Sequence, residues 1–364
     1  MKCICDRAAL SEALSATAGV TLSRTPKPIL QCVRVTAEKD VLTLTAYDQE
    51  VGLRYRVKQV EVSKTGETLV AGDRLQAIVR ESSDETMSLE SSGDALHIRR
   101  SDSHFQMVGQ NVREFPPVPD MEGEPDLIVK VGPLVEAVNK TLFAAARENT
   151  RYAINGVLWE KKGKQLHMVA TDGRRLALCS ASLEKSVGED GSAIVPTKAL
   201  SLLGKLHLDA DDTLEVRLKP NQIIMRCESA TISSVLVEGH FPKYQDVLPR
   251  DQDKVATIKT ADFLSGVRRA ALLSTAESKG VRIRLDKEGM ILTSRAAEQG
   301  EATIKVGVEY RGGDIEIGFN PEFLVDALKV CGETTTFELK EASKPGVLKS
   351  GSTFLYVVMP VNLS

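Results

Sequence analysis

Apolar and polar residues alternate one for one in several segments of this chain. Val281, Ile283 and Leu285 are set against Arg282 and Arg284, and Leu214, Val216 and Leu218 against Glu215 and Arg217. Met87 with Leu89, and Phe337 with Leu339, occupy the equivalent places elsewhere. Period-two patterning predicts strands with one buried and one wetted face. Other segments follow the helical period instead. Leu10, Ala13, Leu14 and Thr17 fall on one face, as do Leu134, Val138 and Leu142, and Leu264, Val267 and Ala271.

These elements recur in one order at a spacing of about 125 residues, and such self-similarity defines an architecture. Apolar helices are expected at Leu10–Val20, Leu134–Ala146 and Phe263–Ser274. Strand-rich chain follows from Pro28, Tyr152 and Gly280, and then a second helix at Asp73–Arg80, Thr197–Leu206 and Pro321–Val330. Each copy nears its end at an aromatic-to-proline turn: Phe115-Pro116, Phe241-Pro242, and Tyr356 to Met359-Pro360. The expected fold class is α+β, three tandem copies of one small domain. In each copy two helices cover the apolar face of antiparallel sheets. Linkers at Pro116–Pro125 and Pro249–Lys254 place the domains at 1–125, 126–250 and 251–364.

Bulk composition narrows the class without changing it. A chain of 364 residues, 42% hydrophobic and 27% charged, is ordinary for a soluble globular protein. No apolar stretch approaches the roughly 20 residues of a membrane span. The opening Met1-Lys2-Cys3-Ile4-Cys5-Asp6 lacks a secretory signal's apolar core, so a cytoplasmic protein is expected. The six cysteines read as buried free thiols. Net charge is −3, so any attraction to nucleic acid has to come from a local basic stripe.

Such a stripe is visible on the helices. Lys140 and Arg147 are spaced to share one helix side, as are Lys198 and Lys205. Arg74, Arg80, Arg268, Arg269 and Lys329 add charge to the corresponding helices, while Asp73, Glu136, Asp262 and Glu322 sit near helix starts. Catalytic signatures are missing. The five histidines show no His-Glu-x-x-His pairing for zinc, and neither a nucleophile elbow nor a phosphate-cradling glycine loop occurs. Asp209-Ala-Asp211-Asp212 reads as a solvated turn, and Asp172-Gly173-Arg174-Arg175 as a turn between strands Leu166–Thr171 and Leu176–Ser180. No catalytic residue, metal ligand or cofactor is expected.

Two runs, Arg151-Tyr-Ala-Ile-Asn-Gly-Val-Leu-Trp-Glu160 and Val169-Ala-Thr-Asp-Gly-Arg-Arg-Leu-Ala-Leu178, resemble the bacterial DNA polymerase III β sliding clamps. So do Gly239-His-Phe-Pro-Lys-Tyr-Gln-Asp-Val-Leu-Pro249, Gly318-Phe-Asn320 and Tyr356-Val-Val-Met-Pro360, collinearly over the whole chain. The resemblance implies a head-to-tail homodimeric ring around double-stranded DNA, with helices lining the hole. Implied partners are a replicative DNA polymerase, a clamp loader and other replication and repair proteins, with no membrane. DNA contacts implied by it are Arg24, Arg74, Arg80, Arg147, Arg151, Tyr152, Lys198, Lys205 and Arg282. A peptide-docking cleft between the second and third domains is implied at Arg151, Ile154, Thr171, Gly173, Arg175, Leu176, Pro242 and Val247. It continues through Asn320, Phe323, Val357, Val358, Met359 and Pro360. The ring seam maps to Arg74, Ile78, Phe105 and Met107 against Leu272, Leu273, Glu298 and Glu301. Asp246 stands where the family often has a basic residue, and Ala153 where an aromatic is frequent.

Rival readings are distinguishable. A sequence-specific DNA binder needs a recognition element, and no helix-turn-helix or zinc pattern is present. A small-molecule enzyme built from repeats would have to place its chemistry at Asp172 and Arg175. A eukaryotic-type trimeric clamp carries two such domains per chain, against three repeats here.

Overall fold

The alternating segments are strands and the 3.6-period segments are helices, in a computed structural model that describes all residues except 23, 148–152, 274–279, 297–299 and 363–364. Among the described residues there are six α-helices: α1 (Arg7–Ala18), α2 (Gly72–Arg80), α3 (Val131–Thr141), α4 (Thr197–Leu203), α5 (Thr260–Ala271) and α6 (Pro321–Leu328). They fall two to a repeat, as expected.

Local chemistry accounts for several helix ends. Asp6 caps α1, its Oδ1 accepting from the Ala9 amide at 2.8 Å. Asn320 caps α6 in the same way through the Glu322 amide, with Pro321 at the first helical position. Several expected helices end earlier than the pattern implied, α3 and α4 with consequences for the basic stripe. The segment Leu142–Ala144 after α3 is a 3-10 turn, so Arg147 lies beyond the helix that carries Lys140. Lys205 likewise lies past the end of α4, off the helix of Lys198. The paired spacing was right in sequence, but the helices stop short of the second cation. In α5 the buried stripe is Phe263, Gly266, Val267 and Ala270, while Leu264 and Ala271 are only half-buried. Gly266 explains that choice. A Cβ there would come within 2.6 Å of Val306 and 2.9 Å of Leu292, so glycine lets α5 sit close on its sheet. Pro28 opens a 3-10 turn rather than a strand, which starts at Cys32.

The chain divides into two compact units: Met1–Gly132 with Leu183–Glu189 and Lys198–Leu236, and Pro133–Ser182 with Asp190–Thr197 and Val237–Ser364. Each unit contains a sheet continuous across a junction between repeats. In the first, strand Ala230–Val235 pairs antiparallel with Val51–Val57, with Ile232 opposite Leu53. In the second, strand Arg175–Ser186 pairs with Phe354–Val358, with Leu176 opposite Val357. Each unit also holds a smaller sheet. The first unit's has five strands and ends at His104–Val108; the second's has four and ends at Gly300–Val306. Helices α1 and α2 pack together in the first unit, and α5 and α6 in the second.

The third aromatic-proline signal differs from the others. Phe115 follows a 3-10 turn and Phe241-Pro242 precedes one, but Tyr356 is fully buried within strand Phe354–Val358. All six cysteines are free thiols, Cys331 half-buried and the others buried. No described helix is long and apolar enough to cross a membrane.

Candidate functional site

The Thr171–Arg175 turn organises one end of the second unit. Gly173 adopts φ +86°, a conformation glycine reaches without strain. Asp172 Oδ1 accepts from the Arg174 and Arg175 amides at 2.9 and 3.1 Å, the Asx geometry that closes such a turn. Thr171 Oγ1 donates to the Arg175 carbonyl at 2.6 Å and accepts from the Gly173 amide.

Arg175 is the hub of this corner. Its guanidinium donates to Asp172 at 3.1 Å, to Asp326 on α6 at 2.9 Å and to the Phe143 carbonyl at 2.9 Å. It also lies 4.5 Å from the Phe323 ring centroid, a cation–π contact. Burial works against its charge, but the Asp326 hydrogen bond and the fields of Tyr356 and Asp172 hold its pKa above the ordinary value. Burial above all drives the Tyr356 phenol far upward; its hydroxyl donates to the Phe323 carbonyl at 2.9 Å. Arg175 and Asp172 are therefore both engaged in holding the corner together. Asp326 and Phe143 carried no sequence signal, lying 151 and 32 residues from Arg175.

Beside this hub lies an apolar cluster of Ala153, Leu158, Val169, Leu176, Ile194, Tyr244 and Val357, flanked by Leu178, Val237, Phe241, Leu248 and Leu355. Ile154, Leu176, Val357 and Val358 are buried, Pro242, Asn320, Phe323 and Pro360 half-buried, and Val247 and Met359 exposed at 56% and 44%. Val358 is 0% exposed, so of the three C-terminal apolar residues singled out in sequence only Met359 is open to solvent. Both faces of the strand are covered at Tyr356, Val357 and Val358, and strand pairing ends at Val358, opposite Arg175, so Met359 is the first residue past it. The Met359 amide then bonds the Arg174 carbonyl at 2.9 Å, which fixes the chain beneath its side chain. Val247 is positioned from the other direction. It ends the 3-10 turn Tyr244–Val247, which is anchored by buried Tyr244, whose hydroxyl donates to Glu160 at 2.7 Å. Burial raises the Glu160 carboxyl, but hydrogen bonds from Lys162 and Tyr244 outweigh it and the pKa ends below the usual range. This corner can bury the apolar anchors of an extended peptide against a preformed floor. Asp246 is exposed at its edge.

Among the described residues the basic side chains separate into exposed and engaged cations. Arg24, Arg147 and Lys205 are exposed. Lys198 is tied to the carboxylate of Asp48, whose side chain is 3% exposed, so its charge is largely neutralised. Asp48 was not singled out in sequence. Arg282 stands on a strand, paired with Glu316, not on a helix. Arg74 and Arg80 make only exposed contacts with their neighbours Asp73 and Glu81, which contribute little. Arg151 and Tyr152 lie outside the described residues.

In each unit the expected seam residues fall on or just after one helix and on one sheet-edge strand. In the first, α2 carries exposed Arg74 and half-buried Ile78, while edge strand His104–Val108 carries Phe105, half-buried Met107 and 83% exposed Val108. In the second, Leu272, 77% exposed, and half-buried Leu273 follow α5, and Glu301 lies on edge strand Gly300–Val306. Glu298 lies outside the described residues. Among the described residues no group of three or more His, Cys, Asp or Glu side chains is placed to hold a metal.

Residues 1–119, 129–243 and 245–362 match the N-terminal, central and C-terminal domains of the DNA polymerase III beta subunit. The chain is 32% identical over 362 residues to the beta sliding clamp of Pseudomonas aeruginosa, covering 98% of this chain and 99% of that one. It is 30% identical to that of Escherichia coli, with all of both chains covered. A crystal structure of the Pseudomonas aeruginosa DnaN sliding clamp bound to griselimycin superposes with a TM-score of 0.93 at 31% identity, covering 100% of this chain and 99% of that one. The DNA polymerase III beta subunit of Thermotoga maritima gives 0.90 at 26%, with full coverage of both. With three tandem clamp domains matched end to end, the chain belongs to the bacterial DNA polymerase III beta subunit family, the beta sliding clamps.

Proposed function

We propose that this chain works as a non-catalytic processivity clamp, a head-to-tail homodimeric ring that encircles duplex DNA and slides without reading its sequence. The observation that carries the reading is the pair of unequal sheet edges. An edge strand carrying exposed Phe105 and the exposed Leu272 after α5 are different surfaces, and a heterologous contact between unlike surfaces closes into a ring when its rotation allows. Unpaired strand edges are natural templates for such a contact. The seam is assigned to Arg74, Ile78, Phe105 and Met107 against Leu272, Leu273, Glu298 and Glu301. The domains are assigned to 1–125, 126–250 and 251–364.

Arg24, Arg74, Arg80, Arg147 and Lys205 are the cations best placed to meet phosphate, with Arg151, Tyr152, Lys198 and Arg282 as further candidates. Phosphate attraction is sequence-independent and weakens with salt, which suits a sliding contact held by topology. The corner formed by Leu176, Val357, Val247 and Met359 is assigned to docking short peptides from the replicative polymerase, the clamp loader and repair proteins, in the cytoplasm. Burying a Leu or Phe anchor contributes roughly 1.5–3 kcal/mol, so two or three anchors less binding costs give exchangeable, about micromolar, docking. After loading, retention on nicked circular DNA but loss from the same DNA linearised is expected. Equal retention on both, or a protected sequence on linear DNA, would overturn the reading.

A further inference from the structure

His97 and His104 lie on neighbouring antiparallel strands, Ala95–Arg99 and His104–Val108. His97 is opposite Gln106 and His104 opposite Arg99, so the two histidines are diagonal neighbours on one face of the sheet. Their rings stack at 5.2 Å between centroids, and His97 Nδ1 is 3.1 Å from His104 Nε2. Neither ring is buried. Nothing in the order of residues connects them, because six residues separate them in a spacing unlike the helical zinc motifs.

We propose that these two imidazoles form a chelating site for a borderline divalent transition metal of the zinc, nickel or copper class. Such ions bind imidazole nitrogen at about 2.0–2.1 Å, so two nitrogens 3.1 Å apart match the bite of adjacent ligands on one ion. In the metal-free protein one of the facing nitrogens carries the hydrogen that the other accepts. On binding, that ring takes its other tautomer, its proton moves to the nitrogen turned away, and both lone pairs face the ion. With both rings neutral no proton is released; a ring that starts protonated loses one. Solvent supplies the remaining ligands. Glu90, opposite His97, is not available, being held by Arg99 and Lys2. An ion here would cross-link the edge strand His104–Val108 to its neighbour.

The full-length protein, stripped with chelator, is titrated with Ni2+ and with Zn2+ by calorimetry, and loaded with Cu2+ for electron paramagnetic resonance. The expected result is one ion per chain, nitrogen hyperfine splitting from two imidazoles, and affinity at least about tenfold weaker in His97→Gln and in His104→Gln. Amide exchange across 104–108 should slow on adding Zn2+ to the unaltered protein only. Binding that survives both substitutions unchanged, or a spectrum with fewer than two imidazole nitrogens, would overturn the proposal. Both side chains are solvent-accessible, so the variants keep the fold, and unchanged circular dichroism and thermal unfolding verify this.

Discussion

Replacing Arg175 with methionine probes how the candidate docking corner is held. The methionine stem fills much of the same volume but removes the contacts to Asp172, Asp326 and the Phe143 carbonyl, and the cation over Phe323. Hydrogen bonds to charged groups are worth about 1.5–3 kcal/mol each, but the losses do not simply add. Asp172 keeps two backbone donors, and the Asp326 side chain, 35% exposed, regains water. The Phe143 carbonyl loses the Arg175 donor. The net loss should fall near the low end of the cost of removing one partner from a buried pair, about 3 kcal/mol. That is about a hundredfold change in the local opening equilibrium. Amide exchange over the hairpin 165–180 and over the paired strand 354–358 measures it directly. Arg175→Lys should restore only part of the protection, since an ammonium cannot span three acceptors in one plane. Because the Met359 amide rests on the Arg174 carbonyl, affinity for a docking peptide should fall as well. Protection unchanged within about threefold in the methionine variant would show that the hub does not hold the corner.

Three other outcomes are expected. Leu272→Glu with Leu273→Glu should convert the dimer to monomers of 39.6 kDa, and an unchanged mass by light scattering would refute the seam assignment. Val247→Ala with Met359→Ala should weaken a polymerase-tail peptide by about 1–2 kcal/mol in fluorescence anisotropy and leave the oligomer intact, since both side chains are largely exposed. Lys205→Ala should lower the salt dependence of binding to a short duplex by about one phosphate contact. Lys198→Ala should lower it less, because Asp48 already neutralises that cation; equal effects would contradict this distinction.

The repeated architecture was legible because alternation at period two and at period 3.6 is set by residues a few places apart. Helix pairs, strand faces and the Asp172-Gly173 turn all follow from such local rules. The same rules overran where a neighbour decided the matter. Spacing put Lys140 with Arg147, and Lys198 with Lys205, on shared helix faces, yet α3 and α4 end before the second member of each pair. The resemblance likewise offered Val357, Val358 and Met359 together as cleft residues, and only the fold separated them.

What the chain's order of residues established alone is therefore the threefold module, its helices and sheets, and the family it resembles. Only the folded molecule decided which cations are exposed and which are paired, which C-terminal residue is open, and which distant acceptors hold Arg175. The reason is physical. A strand's face is chosen within two residues, whereas the neutralisation of Lys198 by Asp48 or of Arg175 by Asp326 depends on carboxylates brought from 150 and 151 positions away by strand pairing across the repeats.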